Sequence, residues 1–89
     1  MDAKKIYISE DCVTEILADE LIILHLMTGR YHTLNAFGME IWNAVKAHNP
    51  SPDELIDYLC SKFDGKGIAE DTLKFVHEMV DRKIFLTDL

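Results

Sequence analysis

The sequence predicts a small α+β fold in which a three-stranded antiparallel β-sheet precedes a bundle of three helices. Two patterns support this prediction. Branched apolar residues, alternating with polar ones in part, dominate the first third of the chain, which is typical of strands. Helically spaced apolar residues and helix start signals occupy the remainder. Because a chain of 89 residues buries only a small core, we expect one domain over residues 1–89.

The strand region begins with a short lead-in, Ile6–Ile8, followed by two longer segments. Cys12–Leu17 contains β-branched residues and alternates in part, and residues 18–20 then turn the chain. Leu21–Met27 is the strongest strand in the sequence. Its nearly continuous apolar character predicts a central strand that is buried on both faces. His25, inside this strand, is expected to be a hydrogen-bonded structural residue.

A Thr-Gly turn at residues 28 and 29 leads into the last strand, Arg30–Leu34. Side chains alternate between the two faces of a strand. One face therefore carries Tyr31 and Thr33, and the other carries Arg30, His32 and Leu34. The Tyr31 ring either covers the core or stays available to a partner, and the sequence leaves both alternatives open.

The first helix begins after Asn35, a favourable N-cap residue. Its apolar face combines Phe37, Ile41, Ala44 and Val45, with Trp42 at the edge of that face. Both aromatic residues are expected in the core.

The second helix has the clearest start signal in the chain. Ser51, Pro52 and Glu54 form a capping box with proline at the first helical position. Its predicted apolar stripe contains Leu55, Ile56, Leu59, Cys60 and Phe63. The segment Asp64–Gly67 is expected to end the helix, with glycine in the left-handed conformation.

The third helix runs from about Ala69 to Arg82 and shows two overlapping apolar faces. One face contains Thr72, Phe75, Val76 and Met79, and the other contains Leu73, Val76, His77 and Val80. Ile84–Leu86 follows as a short extended tail. Three small strands with three helices make a winged-helix-like architecture, in which the wing-like hairpin comes first.

Composition and charge exclude several classes of function. The chain has nine Lys and Arg against sixteen Asp and Glu, which gives a net charge of −7. The basic residues are also scattered, so nucleic acid and anionic membranes are disfavoured as partners. The chain contains neither a membrane-length apolar segment nor a signal-peptide core. Two separate cysteines, Cys12 and Cys60, fit a reduced, cytoplasmic protein. We find no spacing typical of metal ligands, catalytic nucleophiles or phosphate loops, so we predict no metal, cofactor or catalytic residue.

The hairpin that runs directly into a helix provides the best indication of function. Such an arrangement leaves a strand edge beside the helices. An exposed edge offers unpaired backbone groups to which an extended peptide can bind as an additional strand.

Several motifs together resemble the PqqD-like family. Leu24–Leu26 precedes T-G-R-Y-H-T-L-N, a helix with G-x-x-I-W follows, and then come S-P-D-E-L and a last helix with a short apolar end. The resemblance covers roughly Val13 to Phe85. Lys83 departs from the pattern, because the family often has glycine before the final apolar pair.

The resemblance implies a RiPP recognition element, a non-catalytic protein that binds the leader segment of a ribosomally made precursor peptide. It would present the leader to a radical S-adenosylmethionine enzyme, a cyclase such as a cyclodehydratase, or a leader peptidase. Lasso-peptide, radical-modified peptide and pyrroloquinoline quinone pathways are all consistent with it. In the family, the leader adds as a strand to the edge of the hairpin and lies against the last helix.

Carried onto this chain, these features predict peptide contacts on the last strand and the third helix. The predicted binding residues are Arg30, Tyr31, His32, Thr33, Leu34, Leu73, Val76, His77 and Val80. Leu73, Val76 and Val80 are core residues by default, which only a missing fourth strand would expose, and the two histidines can also face solvent. Which face of the strand meets the leader stays open. Two other functions share the architecture: a winged-helix DNA-binding regulator, which the acidic third helix disfavours, and a small structural subunit that forms a homodimer through its own edge.

Overall fold

The structure, a computed structural model, describes residues 4–63 and 65–87. The elements in this part of the chain are β1 (Ile6–Ile8), β2 (Cys12–Leu17), β3 (Glu20–His25), β4 (Arg30–Leu34), α1 (Ala36–His48), α2 (Pro52–Lys62), α3 (Ile68–Asp81) and β5 (Phe85–Thr87). The predicted α+β class, with a three-stranded antiparallel sheet followed by three helices, is confirmed.

The three-stranded sheet has the order β2-β3-β4, so β3 is central as predicted. Its predicted extension to Met27 is wrong. The Gly29 N–H donates to the His25 carbonyl at 2.8 Å and closes the turn there. Leu26 and Met27 consequently lie on the turn and are exposed.

Burial of β3 on both faces is only partly observed. Leu21, Ile23 and His25 are buried on the face that the helices cover, whereas Ile22 and Leu24 on the opposite face are half-buried. The cross-strand partners of Leu24 on that outer face are Val13 and Tyr31. No helix among the described residues covers them, and Val13 is 50% and Tyr31 69% exposed.

The predicted lead-in and tail pair with each other, which the sequence did not indicate. β1 and β5 form a separate antiparallel sheet in which Tyr7 lies opposite Leu86. Ile6 and Phe85, from the two strands, are both fully buried. This sheet therefore joins the two ends of the described chain over the helices.

The helix starts follow the predicted capping signals. The Gly38 N–H donates to the Asn35 side chain at 3.0 Å, and the capping box between Ser51 and Glu54 is complete. The predicted glycine stop of α2 is wrong, because the helix ends at Lys62 and is capped by Phe63 in an extended conformation. Gly67 instead precedes α3 with a φ of 84°, and Asp64 lies outside the described residues.

Cys60 is another correction, because it is exposed rather than part of the apolar stripe of α2. The buried residues of that helix are Leu55 and Leu59, and Phe63 continues this face at the next i+4 position. Cys60 is one residue beyond Leu59 and so lies about 100° further around the helix.

The core is formed where α1, α3 and β5 meet. Trp42 is 4% exposed and stacks on Phe85 with ring centroids 6.0 Å apart. Phe75 meets the same Phe85 ring edge-on at 6.1 Å. Phe37 is half-buried and packs on Phe63 at 5.6 Å. The expectation that Trp42 and Phe37 belong to the core is thus confirmed for Trp42, while Phe37 lies at the periphery of the core.

The end of α3 contains a residue in the left-handed conformation. Lys83 has a φ of 64°, its N–H donates to the Val80 carbonyl, and the Ile84 N–H donates to the Met79 carbonyl. These two bonds define a Schellman motif, which usually places glycine at the left-handed position. Lys83 thus occupies a backbone position that glycine would adopt without strain.

Candidate functional site

The candidate site is the outer edge of β4, which has no strand partner in the described part of the chain. Alternate residues of a central antiparallel strand bond to opposite neighbours. The two-residue turn between Leu17 and Glu20 places Glu20 and every second residue after it in bonds to β2. The intervening residues of β3 bond to β4, where their partners are Leu34, His32 and Arg30. The backbone N–H and C=O groups of Tyr31 and Thr33, which alternate with these partners, are therefore directed to the open edge.

A groove lies between this edge and α3. Toward the C-terminal end of β4 it has a volume of about 570 Å³, with Thr33 and Leu34 on the strand side. The α3 side of this groove consists of Asp71, Lys74, Phe75 and Glu78. A second hollow, of about 260 Å³, lies toward the hairpin turn and is lined by Thr28, Arg30, His32, Asp81, Arg82 and Lys83. The start of β4 therefore faces the end of α3, and the end of β4 faces its start.

Gly38 in α1 leaves room for Leu34 and Phe75, the apolar residues at the floor of the groove. A Cβ atom at this position would lie 3.1 Å from the Leu34 Cβ and 3.2 Å from the Phe75 Cε1, which is closer than such atoms normally approach. The absence of a side chain at Gly38 lets Leu34 and Phe75 pack closely beside the charged residues of α3. This close contact gives a physical reason for glycine in the G-x-x-I-W motif.

The structure locates all five predicted strand residues along the groove or its open edge. Tyr31 is 69% exposed on the outer face, so its ring does not cover the core. Thr33 is exposed, His32 is half-buried, and Leu34 is only 6% exposed at the groove floor. Arg30, His32 and Leu34 share the face of the sheet that looks toward the helices.

The helical wall differs from the predicted one. Val76 is 4% exposed and belongs to the core, and Val80 packs against the core from a half-buried position. Leu73 and His77 lie beside an adjacent shallow hollow on α3. The wall that faces β4 is instead formed by Asp71, Lys74, Phe75 and Glu78, which share one side of α3 because of their i, i+3, i+4 and i+7 spacing. Apolar periodicity identified the side of α3 that packs in the core. A search for charged residues around Phe75 would have identified the side that faces β4.

His25 connects the hairpin to the end of α3, as a buried structural residue. The Met27 N–H donates to its Nδ1 at 3.3 Å, which leaves Nε2 to donate to the Lys83 carbonyl at 3.1 Å. The hydrogen-bonded structural role predicted for His25 is confirmed. These bonds fix the hairpin turn against the last residues of α3, and so hold one end of the groove together.

The hairpin end of the groove has a cationic environment. The pKa of His32 is lowered from 6.5, first by burial and then by electrostatic interactions with Arg82, His25 and Arg30. On α3, in contrast, Glu70, Asp71, Glu78 and Asp81 outnumber Lys74. This distribution gives no support to the DNA-binding alternative, because phosphate contacts need a basic recognition helix.

The described residues show neither a metal site nor a membrane span. Within residues 4–63 and 65–87, His, Cys, Asp and Glu side chains form no group of three that could hold a metal ion. The helices in this range are too short or too polar to cross a bilayer. The thiols of Cys12 and Cys60 are both free.

A family model described as Coenzyme PQQ synthesis protein D (PqqD) matches residues 20–84, which is most of the chain. The chain belongs to the PqqD family. The match spans β3, the candidate edge β4 and all three helices, and so includes both sides of the groove. A search of curated proteins finds no significant match.

Solved structures with this fold have been described with peptides bound. The chain is 27% identical to TbiB1 in complex with the TbiA(beta) leader peptide, with a TM-score of 0.77 over 89% of this chain and 93% of that chain. It is also similar to lasso peptide synthetase B1 complexed with the leader peptide, at 15% identity and a TM-score of 0.79 over 92% and 98% of the two chains. The second similarity establishes the fold alone.

Proposed function

We propose that this PqqD-family protein binds the leader segment of a ribosomally synthesised precursor peptide, without catalysing a reaction, and presents it to a separate modifying enzyme or leader peptidase. The observation that carries the proposal is the unpaired edge of β4 beside the α3 groove. The similarity to TbiB1, which is described with a leader peptide, supports it. Ribosomal synthesis of the precursor makes the cytoplasm the expected location.

Binding would occur by β-strand addition. Tyr31 and Thr33 offer two N–H and two C=O groups at the edge, and each net hydrogen bond contributes about 1 kcal/mol. Two apolar leader side chains over Leu34 and Phe75 would add roughly 1.5–3 kcal/mol each. These contributions sum to about 7–10 kcal/mol before the cost of ordering the peptide, whereas a micromolar complex needs a net value of about 8 kcal/mol. Because association costs at least about 4 kcal/mol, these contacts alone would give a complex weaker than micromolar, and further leader side chains must contribute to a micromolar one.

Among the pathways that the family serves, we propose that this protein acts in lasso-peptide biosynthesis. TbiB1 is described with a leader peptide, and the 15%-identical protein that shares the fold is described as lasso peptide synthetase B1. The corresponding enzyme partner would be a leader peptidase or a cyclase. Radical-modified peptide and pyrroloquinoline quinone pathways are the alternatives, and the precursor encoded beside the gene distinguishes among the three.

The test is a calorimetric titration with the synthetic leader half of the precursor encoded beside the gene. Thr33→Pro removes an N–H that is directed to the open edge, while proline is tolerated in edge strands. Thr33→Val has nearly the same shape as threonine and keeps the N–H. We expect Thr33→Pro to weaken binding about tenfold or more, and Thr33→Val to bind within about threefold of the unchanged protein.

Circular dichroism and thermal melting would verify that both variants fold. Equal binding by both variants would contradict strand addition at β4. Sedimentation with and without the leader tests the homodimer alternative, because a dimer formed through this edge should dissociate when peptide occupies it.

A further inference from the structure

The groove along β4 has oppositely charged ends. The end near Leu34 is lined by three carboxylates and one ammonium group, from Glu20, Asp71, Glu78 and Lys74. The end near the hairpin turn is lined by three permanent cations and one carboxylate, from Arg30, Arg82, Lys83 and Asp81. Three of the nine Lys and Arg residues in a chain of net charge −7 thus meet at one place.

The outermost charges of the two ends are too far apart to neutralise each other. Along α3, the distance from Asp71 to Arg82 is about 16 Å at 1.5 Å per residue. Along β4, the five residues from Arg30 to Leu34 cover about 13–16 Å at 3.3 Å per residue. Both distances exceed the Debye length of about 8–10 Å at physiological ionic strength. Glu78 is an exception, because it lies one turn and about 6 Å before Arg82 on α3 and partly offsets that cation. Glu20 and Asp71 therefore present the negative charge of one end, and Arg30 and Lys83 present the positive charge of the other.

His32 lies at the cationic end of the groove. Its side chain shares the groove-facing side of β4 with Arg30, and Arg82 from α3 also acts on it. Burial makes the largest contribution to its lowered pKa, and Arg82, His25 and Arg30 lower that pKa further. The positive charges at this end are thus close enough to affect a neighbouring group on the strand.

We propose that the groove selects a leader with opposite charges at the two ends of its strand-forming segment. This inference rests on the proposed function and specifies the leader. An acidic side chain would lie against Arg30, Arg82 and Lys83, and a basic side chain against Glu20 and Asp71. Side chains on one face of a strand recur every second residue, so a four-residue separation of about 13 Å matches the length of β4.

The direction of the leader sets the order of these charges. Antiparallel addition, which continues the pattern of the existing sheet, places the N-terminal end of the leader segment near Leu34. The preferred leader segment then has Lys or Arg followed four residues later by Asp or Glu. Parallel addition would require the reverse order.

Charge reversal at each end tests this inference, with the leader half of the neighbouring precursor as the probe. Arg30→Glu changes the cationic end and Asp71→Lys changes the acidic end. Lys46→Glu in α1 and Asp57→Lys in α2 are matched controls on exposed positions outside the groove. We expect each groove variant to bind about fivefold or more weakly at low salt, with the controls unchanged. The differences should shrink in 0.5 M NaCl because salt screens exposed charges.

The outcomes separate this inference from the proposed function. Stronger binding by either groove variant would show that the leader has one sign of charge, and would overturn the inference while leaving leader binding intact. Unchanged binding by both groove variants would also overturn the inference and leave leader binding intact. No binding of the leader by the unchanged protein would overturn the proposed function together with the inference. A fold check by circular dichroism accompanies each variant.

Discussion

Replacing Lys83 by glycine is expected to stabilise the protein. Lys83 has a φ of 64° at the end of α3, a conformation that places Cβ close to the following carbonyl group. The bonds that define this turn all use backbone groups: the Lys83 N–H donates to Val80, the Ile84 N–H donates to Met79, and the Lys83 carbonyl accepts from His25. Glycine can keep all of them.

Two opposing effects determine the size of the gain. The left-handed conformation costs a residue with a Cβ about 1–2 kcal/mol, and glycine removes this cost. Glycine also gives the unfolded chain more freedom, which costs about 0.4–1 kcal/mol. The expected net increase in the free energy of unfolding is about 0.5–1 kcal/mol, which corresponds to roughly 2–8 °C in Tm for a domain of this size.

Urea unfolding followed by circular dichroism measures this difference. Lys66→Gly is the matched control, because Lys66 is also an exposed loop lysine but does not have a positive φ. That variant should have equal or lower stability than the unchanged protein. If Lys83→Gly were no more stable than the unchanged protein, with similar m values, the argument from backbone strain at the end of α3 would be refuted.

Three further predictions concern the sheet and the hairpin. Ala18, with a φ of 55° in the two-residue turn between β2 and β3, is strained for the same reason, so Ala18→Gly should raise the free energy of unfolding by about 0.5–1 kcal/mol in urea titrations. His25→Leu leaves the Lys83 carbonyl without its partner and should cost about 1–3 kcal/mol by the same assay; a smaller loss would mean that water replaces the bond. The pKa of His32 is lowered in the folded state, so the unfolded chain binds more protons and stability should fall as the pH drops below about 6.5. His32→Asn should show a weaker pH dependence in thermal melts from pH 7.5 to 5, and an identical dependence would contradict the role of His32.

Local signals in the sequence predicted most of the elements correctly. The capping box at Ser51 and the cap at Asn35 specify helix starts through bonds within three residues, so they can be recognised without tertiary information. The alternation in β4 and the central position of β3 follow from side-chain periodicity. These features are determined by neighbouring residues.

The features that the sequence missed depend on contacts between distant residues. Pairing of β1 with β5 joins segments that lie about eighty residues apart, and neither segment contains a pattern that specifies its partner. The end of β3 at His25 depends on a turn that closes through Gly29. Apolar periodicity placed Val76 on both apolar faces of α3, and the family resemblance added it to the binding wall. Only the packing shows that it lies in the core.

Amide hydrogen exchange at the edge of β4 is the most direct test of leader binding by strand addition. Tyr31 and Thr33 direct their N–H groups to the open edge, whereas Arg30 and His32 direct theirs to β3. Upon addition of the leader half of the neighbouring precursor, we predict that exchange slows markedly at Tyr31 and Thr33 and changes little at Arg30 and His32. Unchanged exchange at Tyr31 and Thr33 in a complex saturated with leader would contradict strand addition at this edge.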